Sequence, residues 1–211
     1  MVAPRLGQTP WQTVGPFFHY ALPHPGGADL VGGSDAGARP DLTAPGHFGL
    51  ARLTRPMDIA GETIEIEGQV LDGAGEPLPD ALVEIWQADN NGAYLHTKTG
   101  NAAKRDGNFQ GFGRFLTGSN GEYVFRTIKP VPYKPRTPHI HLAVKIKGKK
   151  ELITQCYIKG HELNANDMVY KGIKDAKQRE SVTLDFNPLK GSKAGEFSAR
   201  WDVVLGFTPE G

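Results

Sequence analysis

The 211-residue sequence contains a single cysteine, Cys156. A lone thiol can form no intramolecular disulfide and cannot build a cysteine-rich metal site, so a reducing, cytoplasmic setting is expected. Long hydrophobic runs are also missing: no segment approaches the ~18 apolar residues of a membrane span. The opening "MVAPRLGQTPWQTVGPFF" has no apolar core of signal-peptide length. Nor is there an excess of one charge, since 24 Lys and Arg stand against 23 Asp and Glu, for a formal net charge of +1. This balance argues against a polyanion as the main partner, and the locally basic stretches 145–150 and 171–179 read as a solvated hairpin tip and a solvated loop. Neither nucleic acid nor a membrane is expected as a partner. Internal repeats and low-complexity tracts are absent.

Residues 1–60 are rich in Gly, Pro and Ala and show little periodicity, yet "WQTVGPFFHYAL" and Phe48 carry aromatic rings that need something to pack on. They are read as an ordered arm of the same domain that residues 61–211 form. From Thr63 onward the pattern changes. "TIEIEGQVLD" alternates apolar and polar residues, "GAGEPLPD" is turn chemistry, and "ALVEIWQA" is a second strand, which together predict a β-hairpin with an elaborated loop. Further strands are expected at "GEYVFRTI", "HIHLAVKIK", "ELITQCYI", "SVTLDF" and "EFSARWDVVLGF", and a short helix within 163–177. About seven short strands separated by turn signals suggest a mostly β protein, an antiparallel β-sandwich with a long irregular N-terminal arm and loops.

Within "PYKPRTPHIHLAV", two histidines stand one residue apart in an otherwise apolar strand. Strand geometry puts His139 and His141 on one face and Ile140 and Leu142 on the other. Paired imidazoles suggest half of a metal site, but no acidic residue occurs between Glu122 and Glu151 and no cysteine lies nearby. Tyr133 stands six residues before His139, and Tyr94 follows the Trp86 strand in the loop "QADNNGAY". A phenol ligates only as phenolate, and with an ordinary pKa of about 10 it needs a strongly positive partner. Two tyrosinates with two neutral imidazoles suit Fe(III) better than zinc or copper(I). The bland alternatives are an HxH pair that merely packs and hydrogen-bonds, and tyrosines that are simply half-buried aromatics.

Several stretches, in this order along the chain, resemble the intradiol ring-cleaving dioxygenases: "QTVGPFFHY", "GQVLDGAGEPLPDALVEIWQADNNGAY", "GRFLTGSNGEYVFRTIKPVPY", "RTPHIHLAV" and "LITQCYIKG". The resemblance implies a prealbumin-like sandwich and one Fe(III) per catalytic chain, held by Tyr94, Tyr133, His139 and His141. It implies that Tyr133 leaves when substrate chelates, that Arg136 stands beside the substrate ring, and that Gln155 supports the site as a further catalytic and substrate-binding residue. Thr13, Gly15 and Pro16 match an arm segment that lines the substrate pocket. In two-chain members of the family, the α chain resembles this arm but lacks iron ligands, and the iron-bearing β chain has a longer link between the residues matching Tyr133 and His139. Here Lys134 and Pro135 occupy that link, and all four ligand positions are filled.

The resemblance further implies that a catechol-type substrate, protocatechuate first, is cleaved with O2 between its two hydroxyl-bearing carbons to a cis,cis-muconate. Another substituted catechol or a hydroxyquinol is the alternative substrate. The implied assembly is a homo-oligomer or a complex with a related chain. Rival readings are a non-catalytic prealbumin-like binding module, which would need no tyrosinate, and a cupin-type metal site, which wants a Glu shortly after the second histidine where "LAVKIKGKK" has none. Cys156 reads as a small buried hydrophobe. If the ligand reading holds, Tyr133→Phe will keep some iron, change the protein's colour and slow substrate deprotonation. An unchanged visible spectrum and unchanged turnover would remove Tyr133 from the ligand set.

Overall fold

Alternating side chains make β1 (Thr63–Leu71), which buries Ile64, Ile66, Gly68 and Val70 and exposes Glu67. The computed structural model describes residues 5–16, 59–94, 102–106, 109, 111–192 and 196–206. Phe48, His19, His24, His47 and His96 lie outside these residues, as does most of the predicted arm. On one side β1 pairs with antiparallel β4 (Glu122–Ile128). On the other it pairs with β9 (Phe197–Arg200) and β10 (Val203–Val204), both parallel to it, and β8 (Asn187–Pro188) adds to β9.

The second sheet has the order β3 (Phe112–Leu116), β2 (Leu82–Trp86), β5 (His139–Lys145), β6 (Leu152–Ile158), β7 (Thr183–Leu184). Its pairings are antiparallel up to β6 and parallel between β6 and β7. The mostly β sandwich is therefore as expected, but both sheets are mixed. A parallel pair needs a crossover, and the β6–β7 connection carries a 3-10 turn (Glu162–Asn166), α1 (Met168–Gly172) and α2 (Ala176–Glu180). The expected short helix within 163–177 is α1, capped by Asp167, and a second short helix, α2, capped by Asp175, lies mostly beyond that range. No helix among the described residues is long and apolar enough to cross a membrane.

The β1–β2 hairpin does not form, because the two strands lie in different sheets. Neighbouring strands already occupy both edges of β1, so "GAGEPLPD" carries the chain from one layer to the other. Asp72 Oδ1 accepts the amides of Ala74 and Glu76 at 2.8 and 2.9 Å. The Leu78 amide donates to the Val70 carbonyl at 2.9 Å, and Asp80 turns with φ of 56°. The unforeseen strand β3 lies in "GFGRFLTG", where glycines hide the strand signal, but Phe112 and Phe115 are fully packed.

Between the layers, Ile64, Ile66, Tyr123 and Phe125 meet Val83, Ile85, Ile140, Leu142 and Val144. Cys156 belongs to this core at 0% exposure, and burial pushes its thiol pKa up to about 12, so it acts as a small apolar side chain. A smaller cluster sits on the outer face of the second sheet: Trp86, Ala88, Tyr94, Phe112 and Ala143, with Val14, Tyr133 and Ile153 against it. Residues 5–16 strap both layers, since the amides of Leu6, Thr9 and Gln12 donate to the carbonyls of Gly73, Val204 and Ile153 at 2.7, 2.9 and 2.8 Å.

Beside Gly68, the main chain that links β9 to β10 runs along the edge of β1 and presses the Trp201 carbonyl against the glycine. Trp201 N donates to Glu67 O at 2.8 Å, Tyr123 Oη donates to Trp201 O at 2.5 Å, and a Cβ at position 68 would fall on that carbonyl. Gly68→Ala is therefore expected to cost about 2 kcal/mol of stability through overpacking. Urea unfolding will show this as a lower midpoint, and an unchanged midpoint would mean that the Trp201 carbonyl can move aside.

Candidate metal centre

The central strand β5 has β2 on one edge and β6 on the other, and side chains on both of its faces are buried. Ile140, Leu142 and Val144 enter the core, which leaves His139 and His141 on the outer face, 3% and 2% exposed. Register then assembles a row across the sheet: Phe112 opposes Trp86, Trp86 opposes His141, and His141 opposes Gln155, while His139 opposes Tyr157. Trp86 stacks on His141 with ring centroids 4.8 Å apart and planes 9° from parallel. Sequence reasoning placed Trp86 on a strand but missed this contact, which a strand pairing could have exposed.

Two loops bring the tyrosines to these histidines. Tyr94 closes a tight loop organised by Asp89, a buried carboxylate that accepts the amides of Asn91 and Ala93 at 2.9 Å each and that of Asp106 at 2.5 Å. Tyr133 opens a turn in which the Arg136 amide donates to the Tyr133 carbonyl at 2.5 Å. Tyr94 Oη lies 3.3 Å from His139 Nε2, and Tyr133 Oη lies 3.4 Å from both Tyr94 Oη and His139 Nε2. The imidazole centroids of His139 and His141 are 4.9 Å apart. The structure thus gathers all four of the predicted ligand side chains in one cluster.

Arg136 reaches the same spot, with Nη1 3.3 Å from His139 Nε2 and Nη2 donating to Gln155 Oε1 at 2.6 Å. Its Nε donates to Asp167 Oδ2 at 2.8 Å. From the arm, Thr13 O accepts Gln155 Nε2 at 2.9 Å. Gly15, with φ of 74°, lies against His141, so that a Cβ there would sit 3.2 Å from Cε1. Only glycine holds that conformation without strain while leaving the imidazole edge uncovered. Pro16 is exposed at the end of the described arm, and Lys134 is exposed on the Tyr133 turn. Sequence reasoning also missed Gln12, whose Nε2 donates to Thr154 Oγ1 and Gln155 O at 3.0 and 2.9 Å and whose Oε1 accepts Tyr157 Oη at 2.5 Å.

The electrostatics of the cluster favour neutral imidazoles. Burial, and then the Arg136 charge, pushes His139 down to about 3, while burial, His139 and Arg136 hold His141 well below its usual value. His139 Nδ1 faces the Thr137 carbonyl at 2.7 Å, which orients Nε2 toward the tyrosines. His141 Nδ1 is buried with no hydrogen-bond partner among the described residues. Burial raises both phenols, so Tyr94 and Tyr133 stay protonated unless a cation joins them. No group of three or more His, Cys, Asp or Glu gathers anywhere among the described residues. Two phenols and two neutral imidazoles are a donor set for a hard, highly charged cation rather than for a soft one.

The family profile described as Dioxygenase matches residues 40–206. This chain belongs to the intradiol dioxygenase family. It is 38% identical over 154 residues to the protocatechuate 3,4-dioxygenase β chain of Burkholderia cepacia, covering 69% of this chain and 65% of that one. Over 203 residues it is 30% identical to the protocatechuate 3,4-dioxygenase α chain of Pseudomonas putida, covering 92% of each. With the hydroxyquinol 1,2-dioxygenase of Nocardioides simplex it shares 30% identity over 168 residues, which span 55% of that relative. The chain therefore spans less than two thirds of two of these three relatives. Among solved structures, the dioxygenase domain of a dioxygenase carbohydrate-binding fusion from Streptomyces sp. SirexAA-E superposes with a TM-score of 0.68 at 26% identity, over 96% of this chain and all of that one. The catechol 1,2-dioxygenase of Acinetobacter sp. ADP1 shares the fold, with a TM-score of 0.64 at 22% identity over 95% of this chain and 63% of that one.

Because the Asp89 carboxylate accepts three amides of the Tyr94 loop and its flank, Asp89→Ala in this intradiol-family chain leaves those three amides without this acceptor. The expected cost is about 2 kcal/mol of unfolding free energy, with fewer irons bound per chain after reconstitution. An iron stoichiometry equal to wild type would show that Tyr94 is placed without Asp89.

Proposed function

We propose that this chain is a non-haem Fe(III) intradiol dioxygenase that opens the ring of a catechol-type substrate, protocatechuate first, between its two hydroxyl-bearing carbons. The observation that carries the reading is the meeting of Tyr94 Oη, Tyr133 Oη and His139 Nε2 within 3.4 Å of one another, beside His141 and a cationic Arg136. In this reading Tyr94, Tyr133, His139 and His141 hold the metal. Bound there, ferric iron would supply the charge that ionises the phenols and the site at which a catechol chelates and becomes electron-rich enough for O2 to attack its ring.

The chain's own residues divide the remaining work. Tyr133 is half-buried where Tyr94 is fully buried, so Tyr133 is the phenol free to give way to substrate, and its Oη can take up one of the two catechol protons. Arg136 keeps its charge at any working pH and aims Nη1 into the cluster, where negative charge gathers on the substrate oxygens. Gln155 braces Arg136 through its Oε1 and meets the arm through its Nε2. Thr13 and Gly15 form the arm wall next to His141, and Pro16 continues it. Catechol plus O2 balances to the dicarboxylic muconic acid with no other reductant.

Similarity to chains of protocatechuate 3,4-dioxygenase supports protocatechuate, and the hydroxyquinol relatives keep a substituted catechol or hydroxyquinol as the second choice. The α and β chains among the relatives also support assembly with a related chain or with further copies of this one. The test is iron content and the visible spectrum of one sample, taken without oxygen before and after adding protocatechuate, catechol or hydroxyquinol, followed by O2 uptake. A coloured protein with about one iron per chain, a band that shifts with substrate, and one O2 consumed per ring would support the reading. A colourless protein after reconstitution with iron would leave a non-catalytic sandwich in its place.

A further inference from the structure

We infer that Asp167, which precedes α1 and lies outside the metal cluster, is the positioning residue that aims Arg136 at the substrate site. The inference rests on the proposed dioxygenase reading, in which Arg136 faces the substrate. Four N–H groups converge on this one carboxylate, whose side chain is 0% exposed. Oδ1 accepts the amides of Val169 and Tyr170 at 2.9 and 3.0 Å, and Oδ2 accepts Arg136 Nε at 2.8 Å and the Thr137 amide at 2.9 Å.

The two oxygens thus have separate tasks. Oδ1 caps α1, which is all that a structural aspartate at this position would need to do. Oδ2 turns the other way and grips the site. A guanidinium is a rigid planar fork, so fixing two of its edges fixes the third. Asp167 holds Nε, Gln155 Oε1 holds Nη2 at 2.6 Å, and Nη1 is left facing His139. The same Oδ2 accepts the N–H of Thr137, the residue whose carbonyl receives His139 Nδ1 at 2.7 Å, so one carboxylate braces both Arg136 and the segment that orients the His139 ring. Burial opposes the charge on Asp167, but the Tyr170 amide, Arg136 and the Thr137 amide outweigh it and hold the carboxyl below the usual range.

The separation of the oxygens supplies the variant. Asp167→Ser keeps a hydroxyl that caps α1 but cannot reach Arg136, and Asp167→Asn preserves size while replacing one acceptor by a donor. The first readout needs no iron: in the 15N–1H spectrum of the metal-free protein, the Arg136 Nε–H signal, identified by its loss in Arg136→Lys, should exchange slowly in wild type and rapidly in both Asp167 variants. The second is turnover per bound iron, on whichever catechol the wild type cleaves. Both variants should lose about ten- to a hundredfold in kcat, the penalty for a misplaced catalytic group, with a smaller change in KM. Combining either with Arg136→Lys should cost little beyond Arg136→Lys alone.

An Nε–H that stays protected in Asp167→Ser, an unchanged kcat per iron, or a loss that multiplies fully with that of Arg136→Lys would each overturn the proposal. An iron-loaded wild type that cleaves none of the three catechols would overturn the dioxygenase reading and the positioning role with it. The exchange measurement on the same samples would still report whether the Asp167–Arg136 contact exists.

Discussion

The structure depends on one constraint, the two-residue period of a strand buried on both faces. β5 sits in the middle of its sheet, so every side chain it carries must be satisfied by a layer above or below. Ile140, Leu142 and Val144 satisfy the inner layer by apolar contact. On the outer layer His139 and His141 can be accommodated only as neutral rings, one fixed by the Thr137 carbonyl and the other pressed flat on Trp86. The same burial that denies them a proton makes them available as nitrogen donors. Fold and chemistry are therefore two outcomes of a single alternation.

Around that strand the supporting contacts come from segments far apart in the chain. Gln12 and Thr13 meet Gln155, Arg136 meets Asp167, and Tyr94 meets Tyr133. Three of the four cluster residues are held by a neighbour that is not itself one of the four: Asp89 for Tyr94, Trp86 for His141, Thr137 for His139. Such outer contacts fix ring orientation, and orientation decides whether donor atoms meet at a point.

Much of this was legible before any coordinates. The face shared by His139 and His141 and the strands at β1, β2 and β4 to β6 follow from alternation, whereas the pairing of two tyrosines with two histidines follows from the resemblance to the intradiol dioxygenases. What alternation cannot state is which strand lies beside which, and the β1–β2 hairpin failed for that reason: a turn-rich linker looks the same whether it reverses a strand within a sheet or crosses between sheets. β3 was hidden by its glycines. Asp167 was overlooked because 163–177 carries little apolar periodicity, although an aspartate directly before "MVYKG" is a helix N-cap signal. Asp89 carried the analogous loop signal, an Asx turn ahead of Asn-Gly.

The strap formed by residues 5–16 has a temporal consequence. Gln12 bonds to Gln155 across a sequence separation of 143 residues, so a ribosome releases the arm long before the strand that receives it. The arm is the first part of the site to be synthesised and among the last able to dock. Until β5 has emerged Gly15 has no His141 edge to lie against, and until β6 has followed Thr13 has no Gln155 to meet. Loop-closure entropy of that span must be met by contacts already formed elsewhere in the sandwich. The pocket wall is therefore a late product of folding, and a nascent chain exposes its imidazoles before it can shelter them.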